Sequence, residues 1–363
     1  MATVNLGSKG LSSGGQIDPY LDSYWNSGDT VIIPGGSYQL DDGSLLGVEA
    51  DQNSTIRGEG TVELDVGSSG LGRPNHEARG CILTVANITI RGTYTGDSKV
   101  KPLVENGGTV NYAAFNQPDK PQADIDYAGF LLDRDSEQGT VNWDGCEVAW
   151  ATNNGIYTEY NPGVTITVRN SRFYNINVDA IRCGASSDGD LVENCLFIVD
   201  ASPMPFEEGA TTGGITGRAV RQVRPGPVTI RNCDAVFSWD DAAPFFKTND
   251  SAEESGEVIL ENNTILHNGS GRVLRGPIES ATGSGNTLTG SNTEIADEFE
   301  SVMSCIGDEC PRPDASWDGV AGGRRGAAQL SRSLTIENIG TSAVSYNVET
   351  SGGIQREGLL NQN

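Results

Sequence analysis

The segment Leu191-Val192-Glu193-Asn194-Cys195-Leu196-Phe197 alternates apolar and polar residues around an asparagine. Related segments surround the Asn or Asp residues at positions 144, 170, 232 and 262, so that the intervals along the chain are 26, 24, 38 and 30 residues. Alternation over short stretches bounded by Gly, Asn and Asp indicates β-strands. Repetition at such a period indicates a solenoid. We therefore predict an all-β protein, a right-handed, single-stranded parallel β-helix with one repeat in each coil.

A second motif falls between successive copies of the first and ends in an outward-facing residue. Its copies are Gly155-Ile156-Tyr157, Ala180-Ile181-Arg182, Ala219-Val220-Arg221, Phe245-Phe246-Lys247 and Val273-Leu274-Arg275. From each Asn or Asp to that residue the chain runs 13, 12, 27, 15 and 13 residues. The one long interval predicts a turn-rich loop at about residues 199–214, which would bulge from the solenoid.

The two ends of the chain differ from the repeats. Ile17, Tyr20, Leu21, Tyr24 and Trp25 have helical spacing, which predicts a helix that caps the exposed strand edges of the first coil. After about residue 292 the repeat fades, and residues 333–348 are typical of a short β-hairpin. We predict a cap and first coil in residues 1–38, the β-helix in residues 39–292 and a C-terminal appendix with a short β-hairpin in residues 293–363.

Residues 28–38 read Gly-Asp-Thr-Val-Ile-Ile-Pro-Gly-Gly-Ser-Tyr. This segment resembles the start of the first coil in pectate-lyase-like β-helix proteins, which include many virus tailspikes. The resemblance covers about residues 17–292, and its motifs identify a fold but no substrate. Pectate lyases of this fold use calcium, held by acidic side chains, and an arginine as the base, so the resemblance implies this chemistry as one possibility. The related polygalacturonases use aspartates in Asn-x-Asp and Asp-Asp motifs, followed by Gly-His-Gly and Arg-x-Lys.

Two segments resemble those hydrolase motifs and supply candidate catalytic carboxylates. They contain Asp179, and the pair Asp240 and Asp241. The 61 residues from Asp179 to Asp240 exceed two coils, whereas paired carboxylates of a glycosidase lie within about 5–10 Å. Gly-His-Gly is absent as well. We therefore assign no catalytic residue and no metal ligand, and we require no cofactor. A polysaccharide lyase or a polygalacturonase-like hydrolase, with calcium as an optional ligand, is the enzymatic alternative.

Stacking the repeats places equivalent residues in columns. We predict an inward ladder of asparagine side chains, which contains Asn170, Asn194, Asn232 and Asn262. In the next position we predict a buried stack of thiols, which contains Cys146, Cys195 and Cys233. In the preceding position the charges alternate, which predicts outward ion pairs between coils, at Arg169, Glu193, Arg231 and Glu261.

The remaining outward column is basic, although the chain has 49 acidic and only 24 basic residues. Arginine binds carboxylate or sulfate through paired hydrogen bonds. We therefore predict an anionic-glycan site at Tyr157, Arg182, Arg218, Arg221, Lys247, Arg272 and Arg275. The alternative is that these cations pair with acidic loops of their own chain. Nearby aromatic residues would stack on sugar rings or pack against the protein, namely Trp150, Tyr157, Tyr160 and Trp239.

The net charge and the lysine content of the chain predict the environment and the partners of the protein. A net charge of −25 with only five lysines predicts a halophile origin and no nucleic-acid partner. The chain has no apolar run of membrane-spanning length, and its N-terminus does not resemble a secretory signal. Cys305 and Cys310 are spaced for a small disulfide loop.

These observations favour a virion-surface protein of a virus that infects halophilic archaea, such as a tailspike, fibre or capsid-vertex protein. It would bind a host glycan or surface-layer glycoprotein, contact other virion proteins and form a homotrimer at the virion surface or outside the cell, without inserting into the membrane. The alternatives are the polysaccharide lyase or hydrolase and a purely structural virion component.

Overall fold

In the computed structural model, the described residues are 2–67, 70–92, 98–119, 126–158, 162–184, 186–201, 216–240, 242, 244–248 and 256–313, with the backbone of strands 333–338, 344–349 and 356–359. The first part of the chain contains β1 (Thr3–Asn5), a 3-10 turn (Leu6–Lys9), α1 (Asp18–Tyr24), β2 (Thr30–Gln39), a 3-10 turn (Gly43–Leu46), β3 (Val48–Ala50), β4 (Ser54–Asp65), β5 (Asn75–Arg79), β6 (Ile82–Arg91), β7 (Ser98–Glu105), β8 (Gly108–Gln117) and β9 (Tyr127–Leu131).

The middle part contains β10 (Gly139–Asp144), β11 (Glu147–Ala149), β12 (Ile156–Tyr157), β13 (Val164–Arg169), β14 (Arg172–Tyr174), β15 (Asp179–Cys183), β16 (Asp190–Glu193), β17 (Leu196–Val199), β18 (Arg218–Gln222), β19 (Val228–Arg231), β20 (Asp234–Phe237) and β21 (Phe246–Thr248). The last part contains β22 (Glu257–Glu261), β23 (Thr264–His267), β24 (Leu274–Arg275), β25 (Ser280–Ser284), β26 (Asn286–Thr289), a 3-10 turn (Asp297–Val302), β27 (Met303–Ile306), β28 (Ser333–Asn338), β29 (Val344–Glu349) and β30 (Arg356–Leu359).

The strands form a parallel β-helix, which confirms the predicted fold class. In a typical coil, β13 turns into β14 and β14 leads to β15, and each of these strands pairs in parallel with its equivalent in the next coil. The strands represented by β15 form a sheet of nine described strands, from β3 to β24, which we call sheet I. The strands represented by β13 and β14 belong to a second sheet, sheet II.

The predicted register along the chain is confirmed. Glu193 pairs with Arg169 on one side and with Arg231 on the other, and Arg231 pairs with Glu261. The Glu193 carboxylate accepts hydrogen bonds from Nε of Arg169 at 3.0 Å and from Nε of Arg231 at 2.7 Å. The alternating charges therefore join neighbouring coils by ion pairs. The long interval in the second motif also lies where expected, between β17 and β18, although residues 202–215 lie outside the described part.

The asparagine column lies at the corner between the two strands of sheet II, and there the prediction of an inward ladder was wrong. Asn170, Asn194, Asn232 and Asn262 have φ values of 50° to 53°. This left-handed conformation, which asparagine tolerates better than most residues, leaves their side chains at the surface. Adjacent amides still contact each other, since Nδ2 of Asn194 donates to Oδ1 of Asn170 at 3.3 Å.

The residue after each corner asparagine is buried, so its backbone N–H group needs a hydrogen-bond acceptor inside the protein. The backbone N–H of Cys195 donates to Sγ of Cys233 at 3.4 Å, and that of Cys233 donates to Oδ1 of Asn263 at 3.0 Å. The N–H of Asn263 donates in turn to Oδ1 of Asn286. A buried N–H without an acceptor would be costly. The acceptor at this position changes along the axis, from the Ser171 hydroxyl for the N–H of Cys146 to the sulfur of Cys233 and then to asparagine toward the C-terminal end.

The two ends of the β-helix are closed differently. Helix α1 covers the first coil with Ile17 and Leu21, both fully or almost fully buried, as predicted. Parallel pairing continues past residue 292, because β27 pairs with β26, and a disulfide joins Cys305 to Cys310. The C-terminal appendix differs from the predicted hairpin by a third strand, since β30 pairs with β29 as β28 does. Among the described residues, no helix has the length and apolar character that spanning a bilayer requires.

Two buried titratable groups have strongly shifted pKa values. Burial raises the pKa of Asp190 to about 7, against the opposing effect of hydrogen bonds from the backbone N–H groups of Gly184 and Ile166. Burial lowers the pKa of His76 to about 4. Nε2 of His76 faces the carbonyl oxygen of Leu46 at 2.9 Å and so carries the proton, which leaves Nδ1 to accept from the hydroxyl of Tyr112.

These shifts predict an altered pH profile for Asp190→Asn. Asp190 stabilises the fold fully below pH 4, and this contribution is lost as the pH rises through 7, whereas that of His76 is lost as the pH falls from 6.5 through 4. Without Asp190, the free energy of unfolding at pH 4 relative to pH 7 should fall by about 3 kcal/mol compared with the parent. Urea unfolding measures this, with exposed Asp188→Asn in the same turn as control. A parental pH profile would contradict the prediction.

The ion pairs between coils predict that Glu193→Arg destabilises the protein. The substitution removes both pairs and stacks three arginines in register, so that the free energy of unfolding should fall by about 2 kcal/mol at low salt. Salt should reduce the loss, because it screens surface charges. Urea unfolding at two salt concentrations tests this, with Glu193→Gln as the milder comparison. Stabilisation by Glu193→Arg would be incompatible with the ion-paired register.

Candidate functional site

Five of the predicted glycan-binding residues stack on the outer face of sheet I. Parallel pairing places Tyr157 beside Arg182 and Arg182 beside Arg221, and Lys247 lies between Arg221 and Arg275. Equivalent residues in parallel strands lie about 4.8 Å apart. We call these five residues the basic column. Their side chains are half-exposed, or exposed in the case of Arg275. Strand alternation presents them outward because the residues before them, such as Ile181 and Val220, fill the core.

The first and second residues of the column contact each other. The guanidinium carbon of Arg182 lies 4.7 Å from the centre of the Tyr157 ring. Such a contact attracts the cation to the face of the ring. Because the guanidinium is planar, its N–H groups point outward around its edge, where a carboxylate or sulfate can accept them.

A buried carboxylate lies beneath the next coil. Asp179 is fully buried at the start of β15, and its Oδ1 lies 2.6 Å from Nη1 of Arg218. Its Oδ2 lies 3.9 Å from Nη1 of Arg221. The structure thus joins one catalytic candidate to two residues of the predicted glycan site. Asp179 is a positioning residue for Arg218, because it hydrogen-bonds this guanidinium and offsets its charge, whereas Arg221 at 3.9 Å is attracted only weakly.

On both sides of the basic column along the solenoid axis, the neighbouring charged residues are paired or acidic. Near the C-terminal end, Arg272 is engaged by Glu294 through a 2.9 Å contact of Nε with Oε1, and both side chains are half-exposed or more. Toward the N-terminal end, Lys101 forms an ion pair with Asp133. Farther along the same sheet, Glu49 lies in register with Glu77. Glu77 is buried and paired with Arg79 on its own strand, so the N-terminal strands of sheet I carry paired charges of both signs. The described row of successive cations lies on β15, β18, β21 and β24.

The candidate hydrolase carboxylates are not assembled among the described residues. Asp179 is buried under arginines, so it cannot reach a sugar. Asp240 is exposed in the turn before β21, two coils away. Asp241 lies outside the described residues, as does Tyr160 among the aromatic candidates. Trp239 packs partly against the core. The described part of the site thus consists of cations and aromatic rings. Its one buried carboxylate, Asp179, is paired with Arg218.

The described acidic residues beside the column do not fit a calcium site. Calcium requires several oxygen ligands, usually from carboxylates. The charge of Asp179 is already offset by Arg218 and Arg221. No cluster of three or more His, Cys, Asp or Glu residues suited to a metal ion occurs in the described residues.

Comparison with known proteins gives little guidance. No protein-family model matches the chain, and no curated protein matches it either. Among solved structures, the chain is similar to a mannuronic acid specific polysaccharide family 6 lyase enzyme from human gut microbiota. The two are 11% identical with a TM-score of 0.42, and the match covers 87% of this chain and 92% of that one. The functional argument therefore depends on the residues of this chain.

The buried ion pair predicts that Asp179→Asn destabilises the protein. The substitution leaves Arg218, whose side chain is only 12% exposed, without its counter-charge. Breaking a buried pair by removing one partner costs about 3 kcal/mol. Urea unfolding should show this loss, whereas Arg272→Ala, which removes an exposed pair, should leave the free energy of unfolding nearly unchanged. Equal effects of the two substitutions would contradict the positioning role of Asp179.

Proposed function

We propose that the protein binds a uronic acid polysaccharide along the basic column and cleaves it by β-elimination. The observation that carries this proposal is the register of Tyr157, Arg182, Arg221, Lys247 and Arg275 on one face of a protein with a net charge of −25. A row of cations in so acidic a chain favours an extended polyanion as ligand. Successive sugar carboxylates would follow the column.

The column contains the groups that β-elimination needs. Arg182 and Arg221 would offset the charge of a sugar carboxylate, which makes the neighbouring C5–H bond more acidic. Lys247, the one lysine of the column, would act as the base that takes that proton. The electron pair then forms the C4=C5 double bond, and the glycosidic oxygen at C4 leaves with a proton. Tyr157 lies three coils from Lys247, about 14 Å at the coil spacing, so water supplies that proton.

Elimination is favoured over hydrolysis by the state of the carboxylates. A glycosidase needs two carboxyl groups that both reach the sugar. Asp179 is buried and paired with Arg218, so it cannot serve as either. Elimination from a uronic acid requires no enzyme carboxylate, and it uses the cations that the column provides.

A binding role without cleavage is the second candidate. The same column would let a virion-surface protein of a halophilic archaeal virus attach to an acidic host glycan, as a homotrimer beside other virion proteins. The feature that favours it is the composition, with 49 acidic residues and five lysines, which suits a protein that works in concentrated salt. This role would place the protein on the virion surface and outside the cell.

A single set of assays tests both candidates. The protein is incubated at high salt with polygalacturonate, alginate and hyaluronate, with calcium and separately with EDTA. The ultraviolet absorbance of the C4=C5 double bond, reducing ends and bound polymer are measured. We expect absorbance to rise with one of the acidic polymers, and Lys247→Ala to lower the rate by about 100-fold with binding retained. Arg182→Ala combined with Arg221→Ala should lose binding.

The controls separate the outcomes. Lys9→Ala removes a lysine at the opposite end of the chain and should leave the rate unchanged. New reducing ends without absorbance would show hydrolysis and contradict the elimination. Binding without cleavage would favour the virion-surface role. Binding that survives the double arginine substitution would exclude the basic column as the site.

A further inference from the structure

Lys99, Asp126 and Asn153 form one hydrogen-bonded group across three neighbouring coils. Nζ of Lys99 donates to Oδ2 of Asp126 at 3.1 Å, and Nδ2 of Asn153 donates to Oδ1 of the same carboxylate at 2.9 Å. The two nitrogens are therefore separated by only the three atoms of one carboxyl group. A nucleophilic amine, a proton acceptor and an amide thus meet at one place.

Parallel pairing fixes the place of this group in the solenoid. Lys99 belongs to β7, Asp126 directly precedes β9, and Asn153 lies three residues before β12. Strand β9 pairs with β7 on one side and with β12 on the other. The backbone N–H of Asn153 donates to the carbonyl oxygen of Tyr127, which holds its main chain beside that of Asp126. The coil register therefore joins residues that are 54 positions apart in the sequence.

The group is largely shielded from water. The side chain of Lys99 is only 8% exposed and that of Asp126 25%, and Asn153 is half-buried. Lysine is among the residues that are least often buried in proteins. A site that excludes water protects an activated amide from hydrolysis, so that a neighbouring amine can react with it instead.

A second amide contacts the side-chain oxygen of Asn153. Asn154 is fully buried, and its Nδ2 donates to Oδ1 of Asn153 at 2.6 Å. Because an ionised carboxylate only accepts hydrogen bonds, Asp126 fixes the Asn153 amide with Nδ2 toward itself and Oδ1 toward Asn154. A donor held on a carbonyl oxygen stabilises the negative charge that develops there when a nucleophile attacks the carbon.

The other end of the Asn154 amide is unsatisfied. Its Oδ1 has no hydrogen-bond partner within the part of the chain that the structure describes. A buried amide oxygen without a partner is costly, and such groups in folded proteins call for an explanation. A role for the Nδ2 end, as the donor to Asn153, is the explanation that the contacts favour.

We propose that Lys99 and Asn153 join in an intramolecular isopeptide bond, with Asp126 as the proton carrier. A proton of the Lys99 ammonium passes to Asp126 along their hydrogen bond, and Nζ then attacks Cγ of Asn153. The negative charge on Oδ1 of the intermediate is stabilised by Nδ2 of Asn154. Asp126 passes the protons from Nζ to Nδ2, the Cγ–Nδ2 bond breaks, and ammonia leaves. Overall, an ammonium group and a primary amide become a secondary amide and an ammonium ion, without an oxidant or another reactant.

The bond would close a covalent ring of the chain between β7 and the turn before β12. A cross-link of this kind stabilises a protein mainly by restricting its unfolded chain. The coil of Asn153 also carries Tyr157, the first residue of the basic column. The coils that precede the column would therefore be unable to separate from it, and unlike a disulfide the bond would resist reduction.

Mass spectrometry of the folded full-length chain tests the bond. The protein should weigh about 17 Da less than its sequence and its disulfide require, because ammonia is lost. A protease digest should contain a branched peptide that joins Lys99 to Asn153. Asp126→Ala should keep the full mass, since it lacks the proton carrier. Lys99→Arg, which keeps a cation beside Asp126 but removes the nucleophile, should keep the full mass as well.

The matched control is Lys101→Arg, which changes a lysine of the same strand that pairs with Asp133. It should show the same mass loss as the parent.

The branched peptide excludes a different origin of the mass loss. An Asn-Gly pair such as Asn106-Gly107 also loses ammonia when it cyclises to a succinimide, but it yields no branched peptide. A parent that keeps its full mass after prolonged incubation overturns the inference. A mass loss that persists in Lys99→Arg overturns it too. If Asp126→Ala does not fold, Lys99→Arg decides the result, because it retains the charge pair.

Discussion

The β-helix depends on how it satisfies one backbone N–H group at each corner of sheet II. Beyond the corner asparagine the chain turns inward, and the N–H of the next residue is buried between two coils. A small side chain of the following coil accepts it, which is sulfur at Cys233 and an amide oxygen at Asn263. Because the acceptor belongs to the next coil, each corner fixes the register of its neighbour. The alignment of every outward column, including the basic one, follows from this contact.

The outward columns use charge in two ways. On sheet II, Glu193 lies between two arginines, so that the charges offset each other within the scaffold. On sheet I, cations follow one another from Arg182 to Arg275, and the buried carboxylate of Asp179 offsets part of their repulsion from below. A support of this kind stabilises the stack. The difference between the two sheets separates a scaffold surface from a candidate binding surface.

Much of the register was predictable from the sequence, because alternation and asparagine spacing fix which residues stack. The outward orientation of the Asn194 side chain was not predictable, since a left-handed φ reverses the direction in which a regular strand would point this side chain. The pairing of Asp179 with Arg218 was missed because the insertion between β15 and β18 places them 39 residues apart, and only the strand register joins them. The left-handed conformation of Trp150, with a φ of 57°, has no signal in the sequence, because the corner position itself holds tryptophan and not the glycine or asparagine that usually marks it.

The accessibility of the cysteine thiols to a reagent can report the order in which the coils of the solenoid unfold. Cys81, Cys146, Cys183, Cys195 and Cys233 are buried free thiols distributed along the axis, while Cys305 and Cys310 are tied to each other. A thiol-alkylating reagent can reach each one only after its coil has separated from its neighbours. The order in which the five are modified under mild denaturant would therefore report, coil by coil, whether the stack unzips from the α1 end or from the disulfide end. The buried thiols, among them the corner acceptor Cys233, are thus native probes of cooperativity in a repeat architecture.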